Sequence, residues 1–459
     1  MILKTIIKNL VPNSLKRAYH IGLFTISSLL RGNPGKSLRI IGVTGTSGKS
    51  TTAEIIYHVL VENGINVGIV STIGARTKCK QLATGLHVTT PDPFEIPKFL
   101  ADLKENGAKY VVLECSSHAL EQGRLGKLKF DYAVFTNITR DHLDWHKTWE
   151  NYALAKARLI DALKPRGILV FNNDDKRGSS FLAAHAEQKR PDIQVRPYGK
   201  DPQKRIEMEP SGLVFGYKGI RIHMPIIGEY NVENATAAIK VAEELGIPLK
   251  NIVASLENFA GIPGRMQVLQ HTPFLAIVDF AHNADSLEKS LDTLRKIAGN
   301  RGRIITVFGS AGLRDREKRT TMGQVSGKLA DITIVTAEDP RTESLFEINS
   351  TIIKGAEEAG AKLVARFKDS ADYLNYFERI DTPAEALSKS IFAFDEEAVH
   401  GRSDAINFAI QLADRGDIVV TEGKGHEESL CFGSTEYPYT DQAAVKKALE
   451  KLAKSRKIS

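Results

Sequence analysis

The chain has 459 residues, 42% hydrophobic and 25% charged, which is ordinary for a folded globular protein and too long for a single hydrophobic core. Its formal net charge of +7 suits an anionic partner, yet the basic residues are interleaved with Asp and Glu and form no aromatic-basic module, which argues against nucleic acid. Cys79, Cys115 and Cys431 match no zinc or disulfide spacing and read as reduced thiols of a cytoplasmic protein.

At the N-terminal end, Lys4, Lys8, Lys16 and Arg17 precede an apolar stretch, Ile21 to Leu30, which is too short to span a bilayer and is followed by no small-residue cleavage site. A helix packed on the next domain is expected there, ahead of one lying on a membrane surface. Residues 38 to 72 read as strand, glycine loop, helix and strand. Further β-rich runs at 110–114, 132–136 and 168–171 are separated by helical segments, which predicts a mostly parallel, doubly wound α/β sheet. Residues 190 to 227 read as short hairpin-type strands, and 234–245 as a helix. A second α/β unit begins near Thr272, with strands at 274–279, 303–308, 332–336 and 417–421. Residues 362–398 fit this alternation badly and are expected to form an irregular insertion. The expected domains are 1–37, 38–267 and 268–459.

Gly45-Thr46-Ser47-Gly48-Lys49-Ser50-Thr51 follows a strand and opens a helix, as a phosphate-binding loop must. Its backbone N–H groups can curl around phosphate oxygens, Lys49 supplies a point charge, and the Ser50 hydroxyl can ligate Mg²⁺. The longer form of this motif wants glycine where Val43 stands, so by itself the loop implies nucleotide binding and no more. Glu114 ends one strand, His142 follows another, and Lys156 lies on the next helix. In a parallel sheet these strand ends converge on the edge that carries the loop, so Glu114 and His142 could both reach a metal beside the ATP γ-phosphate. Singly, each reads more plainly: Glu114 as a helix N-terminal charge, His142 as a loop residue, Lys156 as a solvated lysine.

The ordered strings Gly-Val-Thr-Gly-Thr-Ser-Gly-Lys-Ser (42–50), Thr-Thr-Pro-Asp-Pro (89–93), Glu-Cys-Ser-Ser-His-Ala-Leu-Glu-Gln-Gly-Arg (114–124), Phe-Thr-Asn-Ile-Thr-Arg-Asp-His-Leu-Asp-Trp-His (135–146), Gly-Glu-Tyr-Asn-Val-Glu-Asn (228–234), Pro-Gly-Arg-Met (263–266), Val-Asp-Phe-Ala-His (278–282), Glu-Asp-Pro-Arg (338–341) and Gly-Lys-Gly-His-Glu (423–427) resemble the Mur ligases. The resemblance is closest to the branch that adds the third amino acid to UDP-MurNAc-L-Ala-D-Glu. It implies a central P-loop ATPase-like domain, a C-terminal Rossmann-like domain, and a cytoplasmic, monomeric ligase of peptidoglycan synthesis. Such ligases form an acyl phosphate from ATP and a substrate carboxylate, which an amine then attacks.

By the same resemblance, Lys49 and Ser50 are the loop residues, Glu114 and His142 the magnesium ligands, and Lys156 the lysine that becomes carbamylated. A carbamate would offer oxygen to a hard cation where an ammonium repels it. Asn231, Asn234, Arg265 and Asp279 match nucleotide-contacting positions. Thr89, Thr90, Ser116, Gln122 and Arg124 match the muramyl-dipeptide site. Arg314, Asp339, Arg341, Gly423 and Glu427 match the site of the incoming diamino acid. There Arg341 favours meso-diaminopimelate, whereas Asp339, in place of the family's asparagine, favours L-lysine, so both remain open. Two other departures are Val88, where an asparagine is common, and the 37 residues before the first strand, where the family carries a UDP-binding domain of about a hundred residues. Weak dependence on the uridine is therefore expected. A folylpolyglutamate synthase-like ligase and a non-catalytic nucleotide-binding module are the alternatives.

Overall fold

The computed structural model describes residues 13–82, 90–139, 141–199, 206–209, 212–299, 302–379 and 388–458. They divide into two compact units, one within Met1–Ile206, Val214–Met224 and Glu229–Phe259, the other within Glu207–Leu213, Pro225–Gly228 and Ala260–Ser459.

The first unit is built on an eight-stranded sheet: β1 (Arg39–Thr44), β2 (Val67–Ser71), β3 (Gly74–Thr77), β4 (Gln81–Leu82), β5 (Tyr110–Glu114), β6 (Phe130–Phe135), β7 (Leu163–Asn172) and β8 (Gln194–Tyr198), in the order β4-β3-β2-β5-β1-β6-β7-β8. β1 lies parallel to both β5 and β6, and these three central strands are apolar and buried almost throughout, as a sheet covered on both faces requires. β8 pairs in parallel with β7, so Gln194–Tyr198 extends the main sheet and is not a hairpin strand, correcting the reading of that stretch. Strands β9 (Glu207–Glu209), β10 (Gly212–Tyr217) and β11 (Ile220–Met224) form a separate small sheet.

Helices of this unit include α1 (Asn13–Leu30), α2 (Lys49–Glu62), α3 (Glu95–Glu105), α4 (Ser117–Gln122), α5 (Trp149–Asp161), α6 (Lys176–Lys189), α7 (Asn231–Glu244) and α8 (Leu249–Glu257). α4 and α5 begin at Ser116 and Thr148, whose hydroxyls accept from the backbone N–H of Ala119 and Asn151, three residues on. Because β1 is flanked by β5 and β6, its C-terminal end opens onto a crevice where the chain direction of the crossovers changes, the usual ligand position of such sheets.

In the second unit, β12 (Gln267–Gln270), β13 (Leu275–Val278), β14 (Ile304–Phe308), β15 (Ile332–Val335), β16 (Lys362–Phe367), β17 (Ser390–Phe394) and β18 (Ile418–Thr421) form a sheet ordered β12-β13-β18-β14-β15-β17-β16. All its pairings are parallel except β12 with β13. Period-two alternation separates its side chains into two layers: Ala276, Val278, Ile305 and Val307 pack on one face, Leu275, Ile277, Ile304 and Phe308 on the other. Residues 362–398 are not an irregular insertion. Among the described ones, β16, the helix Ser370–Arg379 and β17 continue the α/β alternation, and β17 is an inner strand paired with β15 and β16. The exposed start of β16 (Lys362, Leu363 and Val364) hides the pattern, because an edge strand has one open side.

Candidate active site

Strand β1 delivers the glycine loop to the sheet edge. The segment after β6 holds the loop in place: Thr46 N donates to Asn137 O (2.9 Å), Ser47 N to Asn137 Oδ1 (3.0 Å), and Thr136 Oγ1 to Ser47 O (2.6 Å). A Cβ on Gly45 would collide with Thr136 Oγ1, and one on Gly48 with Asn234 Oδ1. Gly48 also sits at φ 80°, a conformation that disfavours side chains, so both glycines are required by close approach. Lys49 Nζ donates to Thr46 O (2.9 Å), and Thr51 lies in the first turn of α2. Asn231 and Asn234, on α7, join this cluster. Thr52 Oγ1 donates to Asn234 Oδ1 (3.2 Å) and Asn234 Nδ2 to Asn231 Oδ1 (2.9 Å).

Glu114, at the end of β5, is buried and anchored. Its Oε1 accepts from Ser50 Oγ (2.9 Å), and its Oε2 accepts from Thr72 N (2.9 Å) and Thr72 Oγ1 (3.0 Å). Lys156, which the sequence alone would leave in solvent, is only 1% exposed. Its Nζ donates to Gly45 O (2.6 Å) and lies 4.5 Å from the Tyr152 ring centroid, while Tyr152 Oη donates to Thr46 Oγ1 (3.2 Å). Burial, with Lys49 nearby, holds the Lys156 pKa well below its usual range. His142 stands at φ 51° with its ring edge-on to His118 at 4.8 Å and 6.4 Å from Tyr152. Ser50, Glu114, Lys49 and Lys156 thus gather around the loop. Among the described residues no hydrogen bond or ion pair joins His142 to Glu114.

A second cluster adjoins α4. Thr90 Oγ1 donates to Glu114 O (3.1 Å) and accepts from Ser116 N (2.9 Å), and Arg124 donates to Gln122 Oε1 (2.9 Å) and Thr90 O (3.4 Å). Thr90, Ser116, Gln122 and Arg124 are therefore neighbours, whereas Thr89 lies outside the described residues. Burial lowers the Arg124 pKa, opposed by Asp92, without removing its charge.

In the second unit the loops after β14, β15 and β18 lie side by side. Gly312 N donates to Asp339 O (2.9 Å) and Arg341 Nη1 to Gly312 O (2.7 Å), tying the loop that carries the exposed Arg314 to Arg341. Lys424 is wholly buried and donates to Asp339 Oδ1 (2.9 Å) and Glu427 Oε2 (2.6 Å); Asp339 Oδ1 also accepts from Cys431 N (2.9 Å). Gly423, at φ 102°, has no room for a side chain beside the carboxyl of Glu338, which burial pushes up to about 7. Buried Arg402 pairs with Asp441 (2.7 Å) and donates to Ala337 O and Glu422 O (both 2.9 Å), fixing the two strand ends that bear these loops. Asp279 accepts from Met266 N (2.8 Å) and Ala281 N (3.1 Å), and Arg265 lies over the Phe280 ring at 4.3 Å.

Residues 43–242 match the Mur ligase middle domain and residues 264–425 the Mur ligase, glutamate ligase domain. A UDP-N-acetylmuramoyl-L-alanyl-D-glutamate–2,6-diaminopimelate ligase of Geobacter metallireducens is 35% identical over 438 residues, covering 92% of this chain and 80% of the relative. The chain belongs to the Mur ligase family. It is an ATP-dependent ligase that joins an acid to an amino acid in peptidoglycan synthesis. A solved UDP-N-acetylmuramoyl-L-alanyl-D-glutamate–2,6-diaminopimelate ligase superposes with a TM-score of 0.61 at 30% identity, covering 91% of this chain and 79% of that one. A folylpolyglutamate synthase of Mycobacterium tuberculosis reaches a TM-score of 0.66 at 17% identity, covering 88% and 92%, and shares the fold alone.

Four residues of this Mur ligase escaped the sequence reading: Thr72, Tyr152, Glu338 and Lys424. Tyr152 precedes Lys156 by one helical turn, so its place on the same face of α5 was legible from spacing. Lys424 stood inside the quoted Gly-Lys-Gly-His-Glu string, but nothing local names Asp339 as its partner. Among the described residues, no helix is long and apolar enough to cross a membrane.

Proposed function

We propose that this ligase adds meso-diaminopimelate to the D-glutamyl carboxylate of UDP-MurNAc-L-Ala-D-Glu. The observation that carries the choice of amino acid is the pairing of Asp339 with buried Lys424. That ion pair offsets the charge of Asp339, the residue whose departure from the family's asparagine would have favoured the ammonium of L-lysine. Arg341, on the same loop, donates one hydrogen bond to Gly312 O, which leaves a planar fork of N–H groups for a distal carboxylate.

In this reading, the 45–51 loop holds the ATP phosphates, with Lys49 as the counter-charge and the N-terminus of α2 behind it. The carboxylate of the muramyl dipeptide takes the γ-phosphoryl group and releases ADP. The amine then attacks the acyl carbon, inorganic phosphate leaves, and the nitrogen loses a proton. Positioning and charge neutralisation supply most of the rate. Thr89, Thr90, Ser116, Gln122 and Arg124 orient the peptide, Asn231 and Asn234 back the phosphate loop, and Arg265 and Asp279 are assigned to the nucleotide by resemblance.

The donor set suits magnesium. Ser50 Oγ and Glu114 Oε1 form an oxygen pair at the head of α2, the ligand type a hard divalent cation takes. Ser50, Glu114, His142 and a carbamylated Lys156 would hold the ion, which when bound neutralises phosphate charge. Burial favours the unprotonated form of Lys156, the form whose amine can add to CO₂, losing one proton and gaining a carboxylate-like head. Product formation from ATP and UDP-MurNAc-L-Ala-D-Glu should be measured with diaminopimelate and with L-lysine. A higher kcat/KM for diaminopimelate is expected, and equal or better use of lysine contradicts the assignment.

A further inference from the structure

Helix α1 has two opposite faces. One is docked: Arg17 donates to Leu120 O (3.2 Å) and Glu121 O (3.0 Å), His20 Nδ1 lies 2.9 Å from Gln122 O, and Ser27 Oγ donates to Phe94 O (2.6 Å). Phe24 is buried against Gly126, where even a Cβ would collide. The other face is apolar and, among the described residues, exposed. Leu15, Tyr19, Ile26, Leu29 and Leu30 are exposed by 60, 64, 54, 62 and 73%. Their spacing of four, seven, three and one residues places all five on one stripe of the helix. A single exposed leucine needs no explanation, but five large apolar side chains in one stripe mark an interaction surface.

Exposed cations lie beside the stripe. Lys16 lies on α1 itself, Arg31 and Lys36 just beyond it, and the chain has no acidic residue before Glu54. A cleft of about 590 Å³ on the flank of α1, lined by Thr25 and Ser28, is walled by Lys36, Lys127, Lys129 and Lys164. Lys164 pairs with Asp131, whereas Lys36, Lys127 and Lys129 are exposed. Protein surfaces carry both signs of charge, so an apolar stripe bordered by exposed cations fits an anionic lipid surface better than a protein face.

We propose that α1 seats this ligase on an anionic bilayer, its Leu15, Tyr19, Ile26, Leu29 and Leu30 stripe entering the boundary between head groups and acyl chains while Lys36, Lys127 and Lys129 face the phosphates. The arrangement is that of an interfacial helix lying in the membrane plane. Flotation of the full chain with phosphatidylcholine vesicles, with and without phosphatidylglycerol, tests it. Binding is expected only with phosphatidylglycerol, with release in high salt. Ile26→Glu with Leu29→Glu should lower binding at least tenfold, and Lys127→Gln or Lys129→Gln about fivefold each. Ligase turnover on soluble substrate should be unchanged in all of them, which confirms that they fold. Equal binding to both vesicle types, or undiminished binding by the Glu variant, overturns the proposal. So does a wild-type dimer that the Glu variant converts to monomer without any vesicle binding, because the stripe would then belong to a second copy.

Discussion

Replacing Lys424 by methionine would test how the amino-acid site is held together. The ammonium is buried, 2.9 Å from Asp339 Oδ1 and 2.6 Å from Glu427 Oε2. Without it, two carboxylates keep their charge with no cation between them. Removing one partner from a buried pair costs about 3–5 kcal/mol, and partial solvent access of Asp339 and Glu427 points to about 3. In a unit of this size that loss corresponds to a fall in Tm of about 6–12 °C. The same change makes the pocket more negative by one charge, which disfavours the distal carboxylate of diaminopimelate relative to the ammonium of lysine. The ratio of kcat/KM values should shift toward lysine about tenfold, or about 1.4 kcal/mol. Lys424→Met combined with Asp339→Asn removes one of the two stranded charges, restores the wild-type charge of the pocket and should regain much of both losses. Calorimetry and paired kinetics on the three variants decide the matter. A Tm within about 2 °C of wild type for the single variant, or a double variant no better than the single, refutes the reasoning.

Three other outcomes are expected. Burial holds the folded Lys156 pKa down, so the unfolded chain binds the extra proton and stability falls as pH drops below the ordinary lysine range. Lys156→Met should therefore be more stable than wild type in CO₂-free buffer near neutrality yet lose ligation, with partial rescue by formate or acetate; an active variant contradicts the carbamate role. Arg341→Ala should raise the KM for diaminopimelate about ten- to a hundredfold and spare lysine, since a desolvated charged hydrogen bond is worth about 1.5–3 kcal/mol. Equal losses for both amino acids would mean that Arg341 only shapes its loop. Burial pushes Glu422 up to about 8, so the folded protein holds a proton that the unfolded chain releases near the ordinary carboxylate range, and stability falls as pH rises between the two values. Glu422→Gln, which keeps an acceptor for Thr306 Oγ1, should flatten urea-unfolding stability across that range; parallel profiles would show that the carboxyl does not titrate there.

Much of the fold was legible before any coordinates. Strands β1, β5 and β6 declare themselves as short runs of branched or aromatic residues, and the glycine loop follows from Gly45, Gly48 and Lys49 between a strand and a helix. Where the reading failed, the local signal was weak for a physical reason. β8 carries Arg196 and Pro197 and has one open edge, so nothing in Gln194–Tyr198 distinguishes a parallel edge strand from a hairpin arm. β16 is likewise an edge strand, and its exposure concealed the buried strand β17 that follows it.

Periodicity, glycine placement and charge spacing are set by residues a few positions apart, and so the chain alone specified the elements, the phosphate loop and the family's ordered strings. The partner of a buried charge is set by residues far apart in sequence. The Lys156 pKa is held well below the ordinary lysine range because packing buries the side chain in the core with Lys49 nearby, while Gly45 O, 111 positions away, accepts its hydrogen bond. Asp339 already faces a cation of its own chain because packing brings Lys424, 85 positions away, to 2.9 Å. α1 was visible as an apolar, basic helix, but only packing against Phe94, Leu120 and Gly126 determined which of its faces was consumed and which was left exposed. Desolvation and pairing depend on what three-dimensional packing brings within a few ångströms, and no window of neighbouring residues contains that information.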